Sequence, residues 1–475
     1  MSLRQKTIQG LWWGFGARVF IQLSQFIIMA VLAHLLSPSD FGLIGMVTVY
    51  FGFALMFGEL GVSAALIQSQ KVNQDHFSSA FWINLLAGIT LSLIFLLSAP
   101  FIAGFYAKPE LIKLIRVISI SCFISSFSIV QSAILRKEMN FKAIALAESA
   151  AILIAGILGI FAALNGKGVW SLVFHFMSFI FIKSVLVWFF SPWRPKFLFS
   201  KTAIKDIFSF SMNMTGLNIV EYFARNIDYL LVGKFLGAGA LGLYTLAYKF
   251  MLYPLQNISN VIGGVMFPAF SKIQDDLEKV RANYLKMVKA IALISFPLML
   301  GMFVLAPEFI RIVFGIKWEQ AIPIVRILSF CGMLQSIEAT VGDIFRSQGR
   351  SDIHFRLQVV GTIIVSLCIS IGLKWGIKGV ACLYALYNFA WVPYLISRSN
   401  NLIKLANKHL IKAIYPGLLI SGLIAGLLSL IKYFIIASDL YILLLAVALG
   451  AIFYLVLLLF TKNILISNKR LVLNI

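Results

Sequence analysis

The sequence predicts an all-α, polytopic membrane protein with 14 transmembrane helices. Three observations predict it. Of 475 residues, 60% are hydrophobic and only 12% are charged, against about 45–50% and about 25% in soluble chains. Mean hydropathy is +0.94. The apolar residues also come in runs of roughly 20 or more, the length a helix needs to cross a bilayer. Membrane-barrel strands would instead alternate over about 10 residues.

The runs follow one another with short polar breaks. Run 8–35 opens with Trp12-Trp13 and stops at the turn Ser37-Pro38-Ser39-Asp40. It is too long for a cleaved signal peptide, and a second span follows at once. Run 41–68 ends before Lys71, and 77–105 ends at Lys108-Pro109. Run 110–135 stops at Arg136-Lys137, 141–164 at Asn165-Gly166-Lys167, and 168–191 at Pro192. Run 203–236 reaches Gly237-Ala238-Gly239, and 240–270 ends in the acidic loop with Asp275, Asp276 and Glu278. Run 283–306 stops at Pro307, 320–345 at Arg346, 353–374 at Trp375-Gly376 and 378–398 at Arg398. Runs 409–431 and 440–461 form a last pair, separated by Ser438-Asp439.

The 40 Lys+Arg and 18 Asp+Glu give a net charge of +22. In a soluble protein this would suggest nucleic acid. Here the basic residues sort by side. With the N-terminus inside, the alternate loops on that side hold about 25 of them and the opposite loops about 7, as cytoplasmic loops do. Both termini are therefore expected in the cytoplasm, and no nucleic-acid partner is expected. Cys122, Cys331, Cys368 and Cys382 stand singly in apolar runs, which excludes metal or redox spacing.

The chain repeats itself. Leu35 to Leu43 aligns with Phe235 to Leu243 at an offset of 200, and Lys167-Gly168-Val169 with Lys378-Gly379-Val380 at 211. Both matches fall on outer turns. Six spans per unit is even, so the units run parallel about a pseudo-twofold along the membrane normal. The expected lobes are 1–196 and 197–405, with 406–475 as an appended helix pair and tail.

Ionisable groups inside spans are costly and usually face a bundle interior or a wet cavity. Arg18, Gln22 and Gln25 share one face of the first span, at i, i+4 and i+7. Asn218, Glu221, Arg225 and Asp228 share a face of the seventh. The 200 offset pairs Arg18 with Asn218 and Gln25 with Arg225. A shared wet cleft is one reading; a Glu221–Arg225–Asp228 network that only fixes helix register is the other. Lys249 and Lys183 are further cation candidates, with ion pairing inside the bundle open for Lys183. Glu59, Glu148, Glu338, Asp343 and the two seventh-span acids are candidates for a coupling proton or cation, or for structural pairs. The aromatic residues read mostly as lipid-facing or interfacial. No Walker A loop, nucleotide-binding glycine fingerprint or HExxH occurs, so no nucleotide drives this chain on its own.

Four segments carry a resemblance: AHLLSPSDFGLIG (Ala33 to Gly45), LRKEMNFKAIALA (Leu135 to Ala147), DYLLVGKFLGAGALGLY (Asp228 to Tyr244) and FRSQGRSDIHFR (Phe345 to Arg356). With them the chain resembles the MOP (multidrug/oligosaccharidyl-lipid/polysaccharide) exporter superfamily, in its polysaccharide, Wzx-type flippase branch. The resemblance implies two six-helix lobes plus a final pair, and a cationic central cavity. It also implies transport of a polyprenyl-diphosphate-linked oligosaccharide for surface polysaccharide: O-antigen, capsule or exopolysaccharide. It implies no enzyme activity, no cofactor and no metal, with a proton or sodium gradient as the expected drive. Expected partners are that lipid-linked oligosaccharide, membrane lipids and assembly proteins such as the polymerase; the chain is expected to be a monomer. Arg18 and Arg225 suit a diphosphate because guanidinium is planar and permanently charged. A MATE-like exporter of cations, with a net acidic cleft, is one alternative. A membrane polymerase or ligase, with catalytic groups on a large outer loop, is another.

Overall fold

The computed structural model describes residues 3–59, 66–67, 73–435 and 437–472; within these, the side chains of 3–12, 14–15, 54–59, 201–221, 223–224, 265, 458 and 460–472 are outside the description. Every long element among the described residues is a helix. In chain order they are α1 (Leu3–Leu35), α2 (Pro38–Glu59), α3 (Gln74–Tyr106), α4 (Leu111–Lys137), α5 (Phe141–Leu164), α6 (Val169–Phe190) and α7 (Lys201–Pro254). There follow α8 (Asn260–Lys272), α9 (Leu277–Val313), α10 (Ile322–Ser347), α11 (Ser351–Gly372), α12 (Gly376–Leu402), α13 (Asn407–Phe434) and α14 (Asp439–Val472). Among the described residues, eleven helical stretches are long and apolar enough to cross a membrane. Helices serve here because each satisfies its own backbone N–H and C=O groups where no water can.

Local chemistry sets the boundaries. Asn73 caps α3, its Oδ1 accepting from the N–H groups of Asp75 (3.1 Å) and His76 (3.2 Å). Asn140 caps α5 and Asp276 caps α9 in the same way. Capping oxygens satisfy the orphan amides of a first helical turn. The α1–α2 turn is closed by Asp40, whose Oδ2 accepts from Ser37 N (2.9 Å) and Ser37 Oγ (2.6 Å).

One boundary differs from expectation. The sequence separates the seventh and eighth runs by a loop at Gly237-Ala238-Gly239. The helix instead breaks at Gly237 alone (φ 82°, ψ −179°) and resumes at once. Glycine visits that conformation without the Cβ clash other residues meet, so one residue does the work of a loop. Downstream, a π turn at Leu255–Ser259 follows Pro254, a residue that has no N–H to offer the helix.

The chain divides into two compact units, 1–242 and 243–475. In the first, α3 packs on α4, α5 on α6 and α1 on α5. The segment after α6 is strapped to α3. Gln74 Nε2 donates to Arg194 O (3.1 Å), Trp193 Nε1 to Gln74 Oε1 (2.7 Å) and Trp82 Nε1 to Lys196 O (2.9 Å). Ser200 N donates to Ser79 Oγ (2.9 Å), and the Phe197 ring stacks on Trp82 at 4.7 Å.

The two segments that match in sequence, around Gly42 and around Gly242, also touch each other. A Cβ at Gly42 would collide with the Ala238 carbonyl, and a Cβ at Gly242 with the Pro38 carbonyl. Residues 42 and 242, and 38 and 238, are related by the same offset of 200. The contact is thus reciprocal under that offset. Small residues permit such backbone-to-backbone approach between membrane helices.

In the second unit, Tyr284, Phe296, Phe345 and Val392 lie in one buried cluster formed with α9, α10 and α12. The final pair is clasped to α9. Lys432 on α13 meets Glu308 at 2.8 Å, and Arg311 pairs with Glu319 at 2.6 Å and reaches Asp439 of α14 at 3.7 Å.

Candidate functional site

On α1, Ile28 and Leu32 are buried in a cluster with Ile152 of α5. Arg18, Gln22 and Gln25 precede that contact on α1. Arg18 and Gln25 are exposed and Gln22 is half-buried. Arg18 has no acidic partner among the described residues. The side chains of Asn218, Glu221 and Glu59 lie outside the described residues.

On α7 the expected polar face is not uniform. Arg225 is exposed whereas Asp228 is only 2% exposed. Three residues turn a helix through 300°, a net separation of 60°, so the border between exposed and buried surface runs between the two groups on one side of the helix. Asp228 Oδ1 accepts from the Tyr229 N–H at 2.9 Å. Just upstream, the Tyr222 hydroxyl donates to the Val49 carbonyl of α2, which fixes the rotation of this stretch of α7.

Lys183 was open to two placements, and the ion pair is the one formed. Its ammonium meets Glu148 Oε1 of α5 at 2.7 Å, with both side chains half-buried, and lies 6.0 Å from the Phe179 ring. Glu148 stands 35 residues away in sequence, so local reading found no acid nearby. Asp343 is likewise paired, with Arg346 at 2.8 Å.

The second unit holds a polar cluster that sequence reasoning missed. Gln335 of α10 donates from Nε2 to Tyr384 OH (2.8 Å) and Asn388 Oδ1 (3.0 Å) of α12. Asn388 Nδ2 donates back to the Tyr384 carbonyl (2.8 Å), and the hydroxyls of Tyr248 and Tyr384 stand 3.4 Å apart. Glu338, half-buried and one turn from Gln335, lies within electrostatic reach of Tyr387. Lys249, next to Tyr248, is exposed. The missed signal was the spacing of Tyr384, Tyr387, Trp391 and Tyr394 along one helix. The expectation that the aromatics are mostly lipid-facing or interfacial does not hold for Tyr384, which is 7% exposed inside this network.

Chemically, the unit-1 helices offer permanently charged guanidinium groups at accessible positions on membrane helices. The unit-2 cluster offers amide, phenol and carboxylate groups. Among the described residues, no group of three or more His, Cys, Asp or Glu could hold a metal ion.

Comparison with known proteins gives a consistent picture. Teichuronic acid biosynthesis protein TuaB of Bacillus subtilis (strain 168) is 31% identical over 405 residues, 85% of this chain and 82% of that protein. Lipopolysaccharide biosynthesis protein WzxC of Escherichia coli (strain K12) is 29% identical over 374 residues, 78% of this chain and 76% of that one. Among solved structures, the lipid II flippase MurJ in an inward closed conformation superposes with a TM-score of 0.76 at 17% identity, covering 95% of this chain and 99% of that chain. At that identity the likeness speaks for the fold alone. Taken with the apolar helices, these matches make the chain an integral membrane protein. The family model described as polysaccharide biosynthesis protein matches residues 31–323, and the chain belongs to that family.

Proposed function

We propose that this protein is a flippase that moves a polyprenyl-diphosphate-linked oligosaccharide across a bacterial cytoplasmic membrane, for assembly of a surface polysaccharide. The observation that carries the reading is Arg18. It is a guanidinium on a membrane helix of a polysaccharide-biosynthesis family member, accessible and with no acid beside it among the described residues. Such a headgroup cannot cross hydrocarbon unaided, because its charges and hydroxyls would be stripped of water without replacement. Guanidinium groups supply charge-assisted, bidentate donors for phosphate. The lipid tail stays in the bilayer while the headgroup passes.

The architecture belongs to the same reading. Fourteen crossings follow if the 48-residue stretch Arg225–Lys272 is divided at Gly237 and the 52-residue stretch Ser351–Leu402 at Gly372–Gly376, which makes thirteen of the eleven stretches, and α2 (Pro38–Glu59) is added to them. The reciprocal contact of Gly42 and Gly242 supports two parallel lobes, 1–196 and 197–405, about a pseudo-twofold, with 406–475 appended. Rocking of the lobes would open the site alternately to each side. The protein is proposed to act as a monomer without enzymatic activity, beside the polymerase that uses its product. A proton or sodium gradient drives uphill transport through Glu59, Glu221, Asp228 or Glu338.

The test is reconstitution in lipid vesicles with a polyprenyl-diphosphate-linked sugar, with and without imposed proton or sodium gradients. Protein-dependent appearance of the sugar in the opposite leaflet is expected, faster with one gradient. Transport equal to protein-free vesicles would end the flippase reading. Gradient-independent transport would end only the coupling part.

A further inference from the structure

The segment between α6 and α7, residues 191–200, forms no helix or strand, yet it is held in place. Its backbone and Trp193 bond to Gln74, Ser78, Ser79 and Trp82 of α3. What it turns outward is apolar: Phe197 is 91% exposed, Leu198 43% and Phe199 59%. Arg194 and Lys196, in the same segment, are exposed as well. The Arg194 guanidinium lies 5.3 Å over the Trp188 ring. Lys196 has no acidic partner among the described residues, and the chain has no Asp or Glu from 149 to 205.

Two surroundings fit this segment badly. In water, three adjacent large apolar side chains would be an uncovered patch. In hydrocarbon, a backbone outside helix and strand would have N–H and C=O groups without partners, and Lys196 would be an uncompensated charge. The headgroup layer meets both demands, with acyl chains beginning on one side and water and phosphates on the other. Tryptophan marks the same level. Trp82 and Trp193 bond around the segment and Trp188 lies under Arg194, and tryptophan collects at the membrane–water boundary.

We propose that residues 192–200 are an interfacial anchor that binds anionic phospholipid of the cytoplasmic leaflet. Phe197, Leu198 and Phe199 lie among the upper acyl chains, and Arg194 and Lys196 meet the lipid phosphates. Charge selects this occupant. A zwitterionic headgroup brings its own cation to the phosphate, whereas an anionic headgroup leaves a net negative charge for the protein to answer. Lys201 and Lys205 continue the basic run in the sequence. The bonds to α3 hold the anchor at one depth, so α3 and α6 are indexed to the leaflet surface. This inference rests on the orientation that puts the segment on the cytoplasmic side, and not on what the protein carries.

The experiment places an environment-sensitive fluorophore on Phe199→Cys in the full-length protein; the unsubstituted protein, with its four native cysteines, gives the background. The labelled protein is put in vesicles of phosphatidylcholine and phosphatidylglycerol, with bromine on the acyl chains of one lipid or the other as quencher. Both lipids should quench, with brominated phosphatidylglycerol preferred at equal mole fraction. Lys196→Gln should lower that preference about fivefold, the scale of one basic side chain at an anionic surface, and Lys196→Arg should keep it. About 1 M salt, where the screening length is about 3 Å, should weaken it in the wild type. No quenching by either lipid would put the segment in water or against a protein and overturn the anchor. Equal quenching by both lipids, or an unchanged preference in Lys196→Gln, would overturn the headgroup selection. A preference abolished by equimolar polyprenyl diphosphate would give the cations to the substrate instead. Transport is read separately in the same vesicles, so a failed flippase reading shows as absent transport with the lipid preference intact.

Discussion

At the scale of single residues, what separates Arg18 from Lys183 is a partner. Lys183 is neutralised by Glu148 at 2.7 Å, whereas Arg18 has no acid within reach among the described residues. A lone cation at the centre of a span costs roughly 2.5–3.5 kcal/mol, unless water or an anion meets it. The two groups should therefore fail differently. Arg18→Ala is expected to leave membrane abundance normal, and Arg18→Ala and Arg225→Ala are each expected to lower glycan export by about tenfold or more, the scale of one charge-assisted hydrogen bond. Arg18→Lys should retain part of the activity, because it keeps the charge and loses the fork. Lys183→Ala strands Glu148 in a half-buried site, so abundance should fall before export per molecule does. Abundance and export measured on the same cells separate these outcomes, and normal export by both arginine variants would remove them from headgroup handling. The sequence already marked the intramembrane charges at Arg18, Arg225, Asp228 and Lys183. It could not mark Glu148 as the mate of Lys183, since that pairing is made only when α5 and α6 pack side by side.

At the scale of elements, the outer turns bear a specific prediction. The Cβ of an alanine at 42 would enter the Ala238 carbonyl, and that of an alanine at 242 the Pro38 carbonyl. Neither obstacle is the end of a flexible side chain, so the backbones must part. Gly42→Ala and Gly242→Ala are each expected to lower the thermal midpoint of the purified protein. The double variant should cost less than the sum, because both substitutions open one shared contact. Additive losses would show two independent sites, and an unchanged midpoint for Gly42→Ala would sink the close approach itself. Much of this level was legible. The pattern Ser37-Pro38-Ser39-Asp40 announces the α1–α2 turn, and its alignment with Gly237 to Ala240 announced a counterpart. That the turns meet was not legible, since a repeat states likeness and not contact. The second repeat match also shifts in register. Lys-Gly-Val aligns Gly168 with Gly379, yet the positive-φ glycine that begins the following helix is Gly168 (φ 53°) in one case and Gly376 (φ 68°) in the other. The chemical likeness lies three residues past the conformational one. The cluster of Gln335, Tyr384 and Asn388 was hidden for a similar reason: about 50 residues separate its α10 and α12 members, and tyrosine in an apolar run looks like any other apolar residue.

At the scale of the whole molecule, charge governs orientation. Of the 40 basic residues, about 25 fall in the loops assigned to the side of the N-terminus and about 7 in the opposite loops, a bias from which the positive-inside rule predicts a cytoplasmic basic side. The inner loops concerned are short, which is the regime in which the bias acts. The segment Arg194 to Lys205 shows why the arrangement is hard to invert. It carries Arg194, Lys196, Lys201 and Lys205, and its first part is bonded to α3 through Gln74, Ser78 and Trp82. Moving it across the bilayer would drag several charges and break those bonds at once. The proposed fourteen crossings, an even number, would return the C-terminus to the same side, where Lys462, Lys469 and Arg470 would add to the bias. A fluorescent reporter that matures only in the cytoplasm, fused after Ile475, is therefore expected to be bright, and a phosphatase active only outside, fused at the same place, to be silent. Inserted after Lys108, on the opposite side, the phosphatase should be active. A silent phosphatase at Lys108 together with an active one at Ile475 would invert the molecule. An active phosphatase at both places would instead make the number of crossings odd, and would break the parallel relation between the two six-helix units.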